Sequence, residues 1–241
     1  MRGLICLALL GLLWGSPAMA QDISLSLGED GSLATRSIQL LILITVLSLV
    51  PGIAITVTCF PFLVTVFAIL RQAIGLQQSP PNMLLVSLAL FMTYYVMEPV
   101  FLEAWEAGIA PVMDGDLDVE TGFFRAMEPL RTFMLRRIDP ETYQTLAALR
   151  PDLSADDTMA DSGLGVIIPS FLISEMERAF QVGFIIFLPF LIIDLVVAAV
   201  LMSMGMMMVP PAIVSLPFKL AFFVVADGWS LLAASLVRSY S

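Results

Sequence analysis

Four apolar runs, residues 38–70, 83–101, 170–202 and 218–237, leave this chain few folds to choose from. A hydrocarbon bilayer core is about 30 Å thick, and about 20 apolar helical residues cross it. The first run is too long for that. As one helix it would extend about 50 Å, and Pro51-Gly52 and Pro61 interrupt it. It therefore forms either one kinked, over-long helix or two helical pieces. The second run follows Pro80-Pro81, with Asn82 placed to cap it, and is expected to end around Glu98-Pro99 with Trp105 just beyond, at an interface. The third begins amphipathically, with Leu172, Met176, Ala179 or Phe180, and Gly183 at helical spacing, and Glu175 and Arg178 able to pair. The fourth carries Lys219 and Asp227 within it. With 59% apolar and 13% charged residues, the reading is an all-α, membrane-associated protein of about four long kinked helices in hairpins.

Between the second and third runs the chemistry changes. From Glu98 to Arg178 there are sixteen acidic residues against six arginines, and this difference accounts for the whole net charge of −10. A small acidic helical segment is expected at residues 111–166, with helices at 121–138 and from Asp139-Pro140-Glu141 to Arg150, then a polar linker over 152–165. Asp114-Gly115-Asp116-Leu117-Asp118 suggests a calcium loop. However, Val119 stands where the turn needs glycine and Arg125 where the bidentate glutamate belongs, so it reads as a solvated acidic turn. There is no histidine, and Cys6 and Cys59 are the only cysteines, so no metal site, cofactor or disulfide is expected. No basic footprint for nucleic acid is present. No nucleophile–base pair accompanies Glu175, Glu177 and Asp194, so no catalytic role is assigned.

The amino terminus reads as a leader over residues 1–20: Arg2, a short apolar core, and Ala18-Met19-Ala20 before Gln21. Residues 21–37 follow as a loosely ordered segment. The remaining chain divides into a first hairpin (38–110), the acidic segment (111–166), expected outside the cytoplasm, and a second hairpin (167–241).

The turn of that second hairpin is unusual. Met202, Met204, Met206, Met207 and Met208 surround Gly205 ahead of Pro210-Pro211, with no charge until Lys219. Methionine is unbranched and polarizable, so such a cluster either fills an irregular core gap or forms a compliant constriction. Asp194 on one arm faces Lys219 and Asp227 on the other. Ions within apolar helices must be paired, which makes them either a latch between helices or subunits or an ion relay; the missing histidine and single lysine favour the latch.

Several motifs in order resemble the FliP family of flagellar export-gate proteins. They are Arg71-Gln72-Ala73-Ile74-Gly75-Leu76-Gln77-Gln78-Ser79-Pro80-Pro81-Asn82, Pro129-Leu130-Arg131, Ile173-Ser174-Glu175, and Pro189-Phe190-Leu191-Ile192-Ile193-Asp194 running through the methionine turn to Leu216-Pro217-Phe218-Lys219 and Asp227-Gly228-Trp229. The resemblance implies a subunit of the flagellar type III export gate in the basal body of the bacterial inner membrane. It also implies partners: further copies of itself and FliQ-like and FliR-like subunits, together in a helical pore complex, then basal-body ring and other export-apparatus proteins, and unfolded protein substrates. By the same resemblance Met206, Met207 and Met208 form a gasket around the channel. An injectisome export subunit and a small-ion transporter are the alternatives. The chain departs from the family at Phe60-Pro61-Phe62, where relatives usually carry Thr-Arg.

Overall fold

A computed structural model describes residues 33–76, 79–151, 158–206 and 208–240. The expected leader, the loop residues Gln77 and Gln78, Met207 and part of the polar linker lie outside the described residues. The described residues are helical, without strands.

The chain divides into two compact units, residues 1–48 and 49–241. The described part of the first is helical and belongs to α1 (Leu33–Thr56). Its polar side chains turn back on the helix: Thr45 Oγ1 donates to the Leu41 carbonyl and Ser48 Oγ to the Thr45 carbonyl, each at 2.7 Å. This satisfies hydroxyls on a helix whose exposed side chains are mostly apolar.

Within the second unit, the over-long run resolves into two pieces. The helix α1 stops at Thr56, and α2 (Phe60–Ile74) starts with Pro61 in its first turn, where the missing N–H is no loss. The helix α2 is about 22 Å long and is the packing centre of the unit. Phe62, Leu63, Val66, Phe67, Leu70 and Ala73 are all buried. It lies along α7 (Leu164–Ser203), and the approach is set by Gly183: a Cβ there would stand 2.4 Å from Ile69 Cδ1.

The helix α3 (Asn82–Ala104) does not end at Glu98-Pro99 as expected. Pro99 sits inside it, and the helix continues through a π turn (Trp105–Ile109) into α4 (Ala110–Met113), a rod of 32 residues. The wider turn places Gly108 against the next helix, where an added Cβ would come within 2.2 Å of the Gly122 carbonyl. Nor is Asn82 the cap. Pro81, in extended conformation, holds that position, and Leu84 N–H donates to its carbonyl at 3.0 Å.

The acidic segment folds as α5 (Val119–Leu135) and α6 (Pro140–Ala147). Each is capped by an aspartate: Asp118 Oδ2 accepts from Thr121 N–H at 3.0 Å and Asp139 Oδ2 from Thr142 N–H at 2.9 Å. The Thr121 interactions hold the exposed Asp118 carboxyl below its ordinary pKa. Met134, Ile138 and Tyr143 from this segment share a core with Val166, Ile167 and Phe171 of α7. At 40 residues, α7 is about 60 Å long, twice the hydrocarbon thickness.

The expected fourth helix, 218–237, is two helices: α8 (Pro211–Val225) and α9 (Gly228–Arg238), bent by 61°. Asp227 is the elbow, in left-handed conformation at φ 48° and ψ 47°. Among the described residues, three helical stretches are long and apolar enough to cross a membrane, or four if the bent pair counts as one span.

Candidate functional site

The tip of the second hairpin is built by its ends. The helix α7 closes with Met204, Gly205 adopts φ 75°, a conformation that favours glycine, and Pro210 starts α8 in extended backbone. Met202, Met204 and Met206 are exposed, and Met208 is 98% exposed. Within the single chain these methionines fill no core gap. Below the tip, Ile192, Val196, Val200, Leu201, Val214 and Phe218 line a wholly apolar groove of about 460 Å³ between the arms.

The two arms also carry the expected ion pair. Lys219 Nζ donates to Asp194 Oδ2 at 2.6 Å, and Ser215 Oγ donates to Asp194 Oδ1 at 2.5 Å. Lys219 also donates to the Ala73 carbonyl at 3.1 Å. That carbonyl belongs to the last turn of α2, where helical carbonyls lack partners and the helix dipole is negative. The lysine therefore bridges three helices, α2, α7 and α8. Burial is uneven: the Lys219 side chain is 7% exposed and that of Asp194 37%. Ser215 stands one helical turn before Lys219, a spacing visible in the sequence; the Ala73 contact, 146 positions away, had no sequence signal.

Asp227 does not join this pair. Eight residues beyond Lys219, it would share a face with it in a straight helix. The elbow removes it from that face, and its Oδ1 instead accepts from Ser230 Oγ at 3.0 Å.

Glu175 pairs with Arg178 at 3.3 Å, as the spacing predicts, but its main partners come from elsewhere. The carboxylate is fully buried. Arg137 Nε donates to Oε1 at 2.8 Å, and the Tyr240 hydroxyl donates to Oε2. The Arg137 guanidinium lies 4.0 Å from the Tyr240 ring centroid and donates to the Ser239 carbonyl at 2.7 Å. Burial, reinforced by the charge on Glu175, pushes the Tyr240 phenol well above its ordinary pKa, so it stays a donor. Sequence reasoning missed Arg137 and Tyr240 because their contacts with Glu175 span 38 and 65 positions.

The loop motif contributes one described contact set: Arg71 Nη1 donates to Asn82 Oδ1 and, at 3.4 Å, to the Pro80 carbonyl. This ties the end of α2 to the start of α3, with Pro81 between. Among the described residues, no group of three or more His, Cys, Asp or Glu is placed to hold a metal ion.

Comparison with known proteins bears on the family of the chain. The FliP family model matches residues 43–236. A flagellar biosynthetic protein FliP of Caulobacter vibrioides is 50% identical over 224 residues, covering 92% of this chain and 84% of the relative. Proteins of the same name from Agrobacterium fabrum and Bacillus subtilis are 47% and 41% identical, over 88% and 92% of this chain and 87% and 100% of theirs. The motifs that suggested the family lie almost wholly within the matched residues, and the chain belongs to the FliP family of flagellar biosynthetic proteins.

Proposed function

We propose that this chain is a channel-forming subunit of the flagellar type III export gate in the bacterial inner membrane, and that several copies bring their methionine tips together around the path of unfolded protein. One observation carries the reading: the hairpin that is most apolar along its arms ends in a tip of exposed thioethers, with Met208 almost fully accessible. A gate for unfolded chains must pass side chains of every size and still close between substrates. β-Branched residues would fit one shape, and charged residues would stay hydrated. Methionine has three rotatable bonds and a polarizable sulfur, so a ring of them closes dry and yields under a passing chain. Gly205 gives the tip its turn. The long α7 supports the same reading, because its exposed apolar side chains run from Ile173 to Met202, about 45 Å, longer than the hydrocarbon core and so favouring protein neighbours. Those neighbours are further copies and FliQ-like and FliR-like subunits, with the acidic segment on the extracytoplasmic side.

The test is the triple variant Met206→Ala, Met207→Ala, Met208→Ala, expressed with its gate partners. Assembly, read by co-purification, stays intact, while the membrane becomes permeable to small ions. A triple variant that assembles, exports and remains sealed would overturn the gasket reading.

A further inference from the structure

The outer arm of the second hairpin is fastened at two points. Lys219 ties α8 to α7 and α2. At the far end, the residues after α9 are clamped by four separate parts of the chain. The Tyr240 hydroxyl donates to Glu175 of α7, and Arg137, in the α5–α6 turn, covers the ring and holds the Ser239 carbonyl. Phe133 of α5 stacks on the same ring and Phe62 of α2 meets it edge-on, with centroids 6.0 and 5.6 Å away.

Between the fastenings the arm bends by 61° at Asp227, a non-glycine residue at φ 48°. Left-handed backbone is disfavoured for residues with a Cβ, although aspartate tolerates it better than most. The local sequence permits the bend without forbidding a straight helix. Asp227-Gly228 is a turn-favouring pair, and Gly228 leaves room for the Phe223 ring, which an added Cβ would meet at 2.2 Å, but no proline stands between 218 and 237 to break a continuous helix. Packing under α9 is incomplete. Leu236 is its one buried residue, the Trp229 ring lies 6.5 and 5.5 Å from those of Phe67 and Phe223, and a groove of about 390 Å³ runs beneath it, lined by Phe62, Leu70, Ile186, Phe190 and Phe223.

The geometry makes the clamp and a straight arm mutually exclusive. The helix α9 is about 16 Å long, and swinging such a rod through this bend carries its tip about 16 Å, far beyond hydrogen-bond reach of Glu175. We propose that the Tyr240 clamp is a conformational latch that selects the bent arm, and that its release lets α8 and α9 join as one straight helix. The Lys219 fastening precedes the elbow, so the movement is confined to α9 and leaves the methionine tip in register. The inference does not depend on the pore reading.

Spin labels at Ile213→Cys and Ala234→Cys, both at exposed positions, test it in the full chain with Cys6 and Cys59 replaced by alanine. Double electron–electron resonance should give one distance for the otherwise unaltered chain. In Tyr240→Ala the distance lengthens by about 4 Å, the difference between a bent and a straight path at 1.5 Å per residue. Adding Asp227→Gly, which removes the left-handed penalty, returns population to the shorter distance. An unchanged distribution in Tyr240→Ala would overturn the proposal. If Tyr240→Ala does not accumulate, Tyr240→Phe decides: it keeps the ring but removes the bond to Glu175, and growth of a longer-distance fraction supports the latch, whereas an unchanged distribution refutes it.

Discussion

Breaking the Asp194–Lys219 pair from its two sides should have unequal consequences. Asp194→Ala leaves an ammonium that is 7% exposed, with the Ala73 carbonyl as its remaining hydrogen-bond partner among the described residues. Removing one member of a buried pair costs about 3–5 kcal/mol, and the surviving carbonyl contact places this variant near the lower end. Lys219→Ala leaves a carboxylate that is 37% exposed and keeps the Ser215 hydroxyl. Water reaches that group, so the penalty falls to about 1–2 kcal/mol, between the exposed and buried cases. Losing the cation at the end of α2 adds about 0.5 kcal/mol. A difference of about 1 kcal/mol separates the two, or roughly fivefold in the folded-to-unfolded ratio. The assay is the loss of monodisperse protein on heating in detergent, followed by size exclusion. Asp194→Ala should fail first, Lys219→Ala later, and the neutral double variant Asp194→Leu with Lys219→Met should survive better than Asp194→Ala. Equal or reversed order of the single variants would refute the uneven-burial argument. Single variants that stay as stable as the parent yet abolish export would replace the latch with a relay.

Gly183→Ala should weaken the α2–α7 contact by about 1–3 kcal/mol, the usual range for overpacking, because the new Cβ meets Ile69 Cδ1 and Cγ2 at 2.4 and 3.0 Å. The same heating assay should show rescue by Ile69→Ala, and absence of rescue would place the damage elsewhere. Asp118→Ala should speed hydrogen exchange in the first turn of α5 while leaving α6, capped by Asp139, unchanged. The unaltered chain should show the same effect only in acid. The Asp118 carboxyl is held below its ordinary value of 3.8, so the cap is fully present above that pH and is lost as pH falls through the lower folded value.

The sequence by itself determined a helical, membrane-associated chain, its family, and several features that depend on neighbours within a turn or two. Apolar runs marked where the helices lie but not where they end, Asp139-Pro140 set the start of α6, and Glu175 with Arg178 followed from helical spacing. Pairing Asp194 with Lys219 was legible too, because an ion in an apolar run needs an opposite charge and the chain has a single lysine. Three things were left to the tertiary structure. Asn82, a good cap by type, was drawn instead to Arg71, since a guanidinium donor nearby outbids a backbone N–H. Helices α8 and α9 read as one although Asp227-Gly228 favours a turn, because the contacts that hold the bent arm, Trp229 against Phe67 and Tyr240 against Glu175, come from distant parts of the chain. Glu175 found Arg137 and Tyr240, and Lys219 found the Ala73 carbonyl, across separations for which one-dimensional spacing carries no signal. Periodicity reports which face of a helix is apolar; which buried ions meet across those faces is decided only when the helices pack and each charge must find a partner.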